Sequence, residues 1–182
     1  IEEYNSNQNF FPTYKSLNLG WRKMTDKDLE SIKKIETKYL KELILNENKI
    51  TEITLYSMFN GMDLSNLTTL NLEKNNFTFE CLKELNRKIN LPNLIRFLVK
   101  DNQINDEGFF NILSYLQFEK IEIMDFSNNF IIGEILFNFK ENLNYPNLIK
   151  FDLSNNRINR DGKVLLDKKI IVKNGYVIYS HG

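Results

Sequence analysis

Large apolar residues recur along this chain in a fixed order, apolar-x-x-apolar-x-apolar-x-x-Asn-x-apolar, and the order returns every 27 residues. The copies are Leu40, Leu43, Leu45, Asn48, Ile50; Leu67, Leu70, Leu72, Asn75, Phe77; Leu94, Phe97, Val99, Asn102, Ile104; Ile121, Met124, Phe126, Asn129, Ile131; and Leu148, Phe151, Leu153, Asn156, Ile158. An imperfect copy precedes them at Tyr14, Leu17, Leu19, Arg22 and Met24. Its Arg22 replaces Asn, as expected of a terminal unit with no preceding turn to satisfy. A constant period of this size marks a solenoid, whose units bury their apolar side only by stacking on neighbours. After Asn156 the order fades, and Ile170, Ile171, Val172 and Tyr176 to Tyr179 predict a closing strand or hairpin over the open end.

Within each copy the alternation of apolar and polar positions predicts a strand. Leu43 and Leu45 point inward while Glu42, Ile44 and Asn46 point out. Strands of successive copies must pair in parallel, since every unit runs the same way. Helices are expected on the returns, over Asp26–Lys38, Glu52–Gly61, Phe79–Ile89, Asp106–Leu116, Gly133–Leu143 and Asp161–Lys168. Leu29, Ile32 and Ile35 share one face, as do Phe109, Ile112, Leu113 and Leu116, which suits helices packed against strands. Asn105 supplies a cap, Asp106 and Glu107 early negative charge. Pro92 and Pro146 are expected to end helices and lead back into strands.

The column Asn48, Asn75, Asn102, Asn129 and Asn156 has its own physical reason. A buried bend leaves backbone groups without ladder partners, and a stacked amide can donate to one turn while accepting from the next. Each group left unpaired would cost roughly 1–3 kcal/mol. These residues are read as internal braces, not as ligands.

Composition narrows the function. Lys plus Arg and Asp plus Glu number 24 each, so the formal net charge is zero, which argues against a nucleic-acid surface. No apolar run approaches the roughly 20 residues of a membrane helix. The chain begins at Ile1 with no signal peptide, so a piece of a longer protein is expected. Cys81 is the only cysteine, which excludes an intramolecular disulfide. Sequons at Asn66 and Asn76 are frequent by chance in a chain with 27 Asn, so an intracellular place, cytoplasmic or nuclear, is expected over secretion. The Asn, Lys, Ile and Phe bias fits A/T-rich codons and hints at a protozoan source.

No catalytic constellation emerges. His181 is the sole histidine, so neither a histidine triad nor a multi-histidine metal site can form. Cys81 reads as a small packed residue. The seven glycines make no phosphate loop. Asp125 to Asn129 and Asp152 to Asn156 resemble calcium-loop spacing but lack its glycine and distal glutamate. The expectation is no cofactor, no metal and no enzyme.

The repeated order resembles the leucine-rich repeat, and its period, helix-length returns and segments such as Asn102-Gln103-Ile104-Asn105-Asp106-Glu107-Gly108-Phe109 resemble the ribonuclease-inhibitor-like class. The resemblance covers residues 14–169; Arg22, the aromatics Phe97, Phe126 and Phe151, and a degenerate last unit depart from it. It implies a right-handed α/β horseshoe with parallel strands on the concave face and helices on the convex face. A single domain is expected over 1–182, with an N-terminal cap and degenerate repeat at 1–39, five repeats at 40–169 and a cap strand at 170–182. The class usually binds other proteins. Its members also include GTPase-activating proteins and actin pointed-end cappers, so a regulatory module of that kind is the alternative, and a secreted adhesion module a third.

On that geometry the outward residues form columns. One runs Ser16, Glu42, Thr69, Arg96, Ile123, Lys150, and the next Asn18, Ile44, Asn71, Leu98, Asp125, Asp152. A third runs Gly20, Asn46, Glu73, Lys100, Ser127, Ser154, bordered by Trp21, Glu47, Lys74, Asp101, Asn128 and Asn155. The expected partner is a protein or peptide bound by a monomer. The expected contacts are Ile44, Asn71, Glu73, Arg96, Leu98, Lys100, Ile123, Asp125, Lys150 and Asp152. Asp125 and Asp152, on adjacent strands, should repel. Trp21 reads first as a cap on the first repeat and second as an interface anchor.

Overall fold

The computed structural model describes residues 15–29, 37–172 and 175–179. In chain order the strands are β1 (Ser16–Asn18), β2 (Glu42–Ile44), β3 (Thr69–Asn71), β4 (Ile89–Leu91), β5 (Arg96–Leu98), β6 (Leu116–Phe118), β7 (Ile123–Asp125), β8 (Leu143–Tyr145), β9 (Lys150–Asp152), β10 (Ile170–Val172) and β11 (Tyr176–Ile178). The helices are α1 (Asp26–Leu29), α2 (Glu52–Gly61), α3 (Asp106–Tyr115) and α4 (Arg160–Lys169). Among the described residues, 3-10 turns occupy Thr37–Tyr39, Glu80–Leu85 and Glu134–Asn138. The architecture is α/β. Tyr14, Ile32, Ile35 and His181, and most of the expected N-terminal cap and of the helix expected over 26–38, lie outside the described residues.

Each apolar copy contributes one strand to a seven-stranded sheet ordered β1-β2-β3-β5-β7-β9-β11, with every neighbour parallel. The central residues Leu17, Leu43, Leu70, Phe97, Met124, Phe151 and Val177 stand in one register row and turn inward. Phenylalanine at leucine positions does not disturb the row. Phe77, Phe79, Phe97, Phe109, Phe126 and Phe151 form a connected buried stack, with ring centroids 5.2–6.3 Å apart. Such tilted and edge contacts add about 0.5–1.5 kcal/mol per pair beyond area burial.

The Asn column joins successive copies. The Asn102 amide donates to Leu72 O (2.9 Å), Val99 O (3.1 Å) and Lys100 O (3.2 Å), and its Oδ1 accepts from Phe77 N (3.1 Å). Asn48, Asn75, Asn129 and Asn156 repeat the arrangement, each accepting from a backbone N–H of the preceding copy. Both inter-copy bonds thus reach the same preceding turn, where the sequence suggested one to each side.

The returns differ from expectation. The helices at Glu52–Gly61, Asp106–Tyr115 and Arg160–Lys169 form, but the stretches expected over Phe79–Ile89 and Gly133–Leu143 are 3-10 turns followed by β4 and β8. Pro92 and Pro146 therefore follow strands, not helices. Phe79 and Gly133, at φ 63° and 92°, open these two returns in the left-handed region. There the N–H groups of Thr78, Phe79 and Cys81 turn onto the Glu52 carboxylate, and those of Ile132, Gly133 and Ile135 onto Asp106. A carboxylate from each helical return thus satisfies the orphan donors of the next. In the other direction, a Cβ on Gly108 would lie 1.7 Å from Thr78 O, and one on Gly162 2.0 Å from Ile132 O. From α2 onward the two kinds of return alternate, and β4 pairs with β6 and β8 with β10 in small parallel sheets.

Among the described residues the chain ends as a closing strand and not as a hairpin, because β10 joins β8 while β11 joins β9 as the seventh strand of the main sheet. No helix among the described residues is long and apolar enough to cross a membrane.

Candidate interaction surface

The side of the main sheet away from the core carries the outward columns in register. Ser16, Glu42, Thr69, Arg96, Ile123 and Lys150 align, and Tyr176 on β11 extends the row. Asn18, Ile44, Asn71, Leu98, Asp125 and Asp152 align likewise, extended by Ile178. The columns expected from the sequence end at Lys150 and Asp152; the 26-residue offset from Lys150 to Tyr176 is the signal in the chain for the extra strand. Six intervals of about 4.8 Å give a face roughly 29 Å wide.

Past each strand the ladder runs one step further. The N–H groups of Trp21, Glu47, Lys74, Asp101 and Asn128 donate to the carbonyls of Asn46, Glu73, Lys100, Ser127 and Ser154 at 2.9–3.0 Å. These five residues and Asn155 all lie in the left-handed region, φ 51° to 62°. Asn tolerates that region; Trp21 does not do so readily. Trp21 nonetheless stays 71% exposed, so it does not close the first copy as a buried cap would. The Lys74 ammonium stands 5.5 Å from its ring centroid and pairs with Glu47.

Several expected contact residues are engaged within the face. Asp125 Oδ1 accepts from Ser127 N (3.0 Å) and Oγ (2.6 Å), and Asp152 does the same with Ser154. Asn18 with Gly20 and Asn71 with Glu73 complete this series of short loops, which the Asp-x-Ser spacing could have revealed. Asn71 Nδ2 also donates to Glu73 (2.9 Å). The expected repulsion between Asp125 and Asp152 is countered by Lys150, whose Nζ lies 3.0 Å from Asp152 Oδ2. Burial alone would raise the Asp152 carboxyl. The Ser154 hydroxyl and amide and Lys150 outweigh burial and hold the group below the ordinary carboxylate range. The hydrogen bond to Asp152 in turn raises Lys150.

The apolar contacts fare unequally. Ile44 and Ile123 are half-buried, but Leu98 is only 9% exposed, so it is a floor and not a projecting anchor. Arg96 is exposed and Lys100 half-buried, on either side of Leu98 along β5. Among the described residues no group of three His, Cys, Asp or Glu side chains could hold a metal. Cys81 is half-buried; burial and the Glu52 carboxylate push its thiol well above the ordinary value.

No family model matches the chain, and comparison with curated proteins gives no match.

Proposed function

We propose that this chain is a noncatalytic interaction module of the leucine-rich-repeat type, ribonuclease-inhibitor-like in class, that docks a protein or peptide on the concave, strand-lined face of a horseshoe-shaped solenoid. The observation that carries this reading is the open face itself. Parallel strands in unbroken register leave rows of outward side chains over which no other described strand or helix packs, on a width that suits a standard interface of about 800 Å² per partner. The five-fold repeat of the Leu and Asn positions supports the class.

The test is affinity purification from the source cells with two baits, the wild type and an Ile44→Glu/Ile123→Glu variant, followed by direct binding of each purified candidate. Both positions are half-buried on the outward rows, so circular dichroism should not change. The reading expects specific partners that bind the wild type and not the variant. Equal binding by both baits would remove this face as the docking surface.

A further inference from the structure

We propose that the strand-lined face takes an extended acidic segment along β5, in the pattern carboxylate–x–apolar–x–carboxylate. Arg96 and Lys100 meet the two carboxylates, and Leu98 with Ile123 receives the apolar side chain. This rests on the reading of that face as the docking surface and names the chemistry of what docks there.

The charges on the face are not evenly settled. Glu47 pairs with Lys74, and Glu73 and Asp101 also act on that ammonium. Asp152 pairs with Lys150, and Asp125 acts on it from the neighbouring strand. Five of the face's carboxylates thus gather about two lysines, one on each side of β5, while Glu42 stands two strands away from Arg96. Between the two groups stand Arg96 and Lys100, and among the described residues neither has a carboxylate within ion-pair distance. They occupy the middle strand of seven, where a partner is most fully shielded from water.

Spacing then fixes the ligand pattern. Alternate residues of an extended chain share one face, so Arg96, Leu98 and Lys100 face the same way over about 13 Å, with Leu98 recessed between the two cations. An extended segment lying along β5 presents its own residues i, i+2 and i+4 at the same interval. Its end positions must be anionic to satisfy the two cations, and its middle position apolar to cover the Leu98 floor and the half-buried Ile123 beside it. The flanking carboxylates set the register. A segment displaced onto β3 would bring a carboxylate over Glu73, where like charge opposes it, and one displaced onto β7 would set its apolar residue over the charged Asp125. Arg96 can hold a carboxylate through two parallel N–H bonds, which a lysine cannot.

The probe is a displayed library of random dodecapeptides, selected on the folded protein at low salt. Enriched peptides should carry Asp or Glu four residues apart with an apolar residue midway. Their affinity should fall at least about tenfold, or 1.4 kcal/mol, in Arg96→Ala/Lys100→Ala, and it should weaken with added salt. In Arg96→Glu/Lys100→Glu the same selection should return Lys or Arg at the two end positions. Enriched peptides without the acidic pair, or binding indifferent to both double variants, would overturn the proposal. If such peptides still lose binding in Ile44→Glu/Ile123→Glu, the face remains the docking surface and only the acidic pattern fails. If they do not, both readings fail together. No enrichment on any variant would count against the proposal as well.

Discussion

Asn102 offers the most direct test of how the copies are joined. Substitution Asn102→Ala removes the acceptor of the buried Phe77 N–H and the donor shared by Leu72 O, Val99 O and Lys100 O. The three carbonyls keep other partners: Asn75 for Leu72, Asn129 for Val99 and the Lys74 N–H for Lys100. Only the Phe77 N–H is left without one, at about 1–3 kcal/mol, and the missing amide leaves a small void worth about 1 kcal/mol more. The expected loss is therefore about 2–4 kcal/mol, read as a melting temperature lower by roughly 5–15 °C in a chain of this size. Asn102→Asp separates donor from acceptor. It keeps an oxygen for the Phe77 N–H but turns a negative oxygen onto three carbonyls, which raises that carboxyl in the folded state. A group raised on folding supports stability while protonated and loses that support as pH rises. Asn102→Asp should thus be less stable than the alanine variant at pH 7 and recover toward it near pH 4. Asn76→Ala, on an exposed residue outside the column, should change stability by less than about 0.5 kcal/mol. Thermal and urea melts followed by circular dichroism give all three values. A loss below about 0.5 kcal/mol for Asn102→Ala, or an Asp variant more stable than Ala at neutral pH, would refute the bracing argument.

Glycine substitutions should split by backbone contact. Gly108→Ala and Gly162→Ala would drive a Cβ into Thr78 O and Ile132 O and should cost several kcal/mol, whereas Gly61→Ala, with open space around it at the end of α2, should raise stability by about 0.4–1 kcal/mol in the same melts. Phe126→Ala, which removes a ring from the middle of the buried stack, should cost about 3–5 kcal/mol in urea melts. Acid should weaken the fold through Asp26 and Asp152. Both are lowered below 3.8 despite burial, Asp26 by Thr51 and Thr54 and Asp152 by Ser154 and Lys150, so their support is present above about pH 4 and lost as pH falls further. Asp26→Ala/Asp152→Ala should be less stable at pH 6 but lose less between pH 5 and 3, as followed by fluorescence. The raised Cys81 thiol should resist iodoacetamide at pH 8 in the folded protein and react freely in urea, as mass spectrometry would report.

The strands were legible because their physics is local. A period of two places Leu43, Leu70 and Phe97 inward whatever the returns do, and the Asn column follows from the same buried bend at each copy. The register rows across β1 to β9 agree with the sequence columns residue for residue. What the columns did not disclose was which outward residues stay free. Leu98 looks like Ile123 in the alternation, yet at 9% exposure it lies beneath the surface. Asp125 looks like a free acid until the Ser127 hydroxyl and amide are seen to occupy one of its oxygens. Facing outward is set by strand parity. Being available depends on neighbours two residues along and one strand over.

The returns depart from the helices expected of them for a reason that also lies in the chain, but at twice the repeat. Asn105 and Asn159, Gly108 and Gly162, Pro92 and Pro146, and Phe79 and Gly133 are pairs 54 residues apart. Asn105 and Asn159 each cap a helix through Gly108 N and Gly162 N. The equivalent positions before the 3-10 returns hold Thr78 and Ile132, and Ile132 has no side-chain acceptor to offer. Left-handed Phe79 and Gly133 then turn the free N–H groups away from a helix and onto Glu52 and Asp106 of the preceding return. The absent Cβ of Gly108 and Gly162 lets the following helical return close onto the carbonyls of Thr78 and Ile132. Helical spacing alone is a weak prior where one carboxylate can satisfy three neighbouring N–H groups at once. A period of 27 places the strands, while the returns from α2 onward obey a period of 54. If that account holds, an Ile132→Asn/Gly133→Asp variant, which restores a cap and an acidic first turn, should add helical signal at 222 nm only when Asp106→Ala frees those N–H groups; a gain with Asp106 intact would place the cause elsewhere.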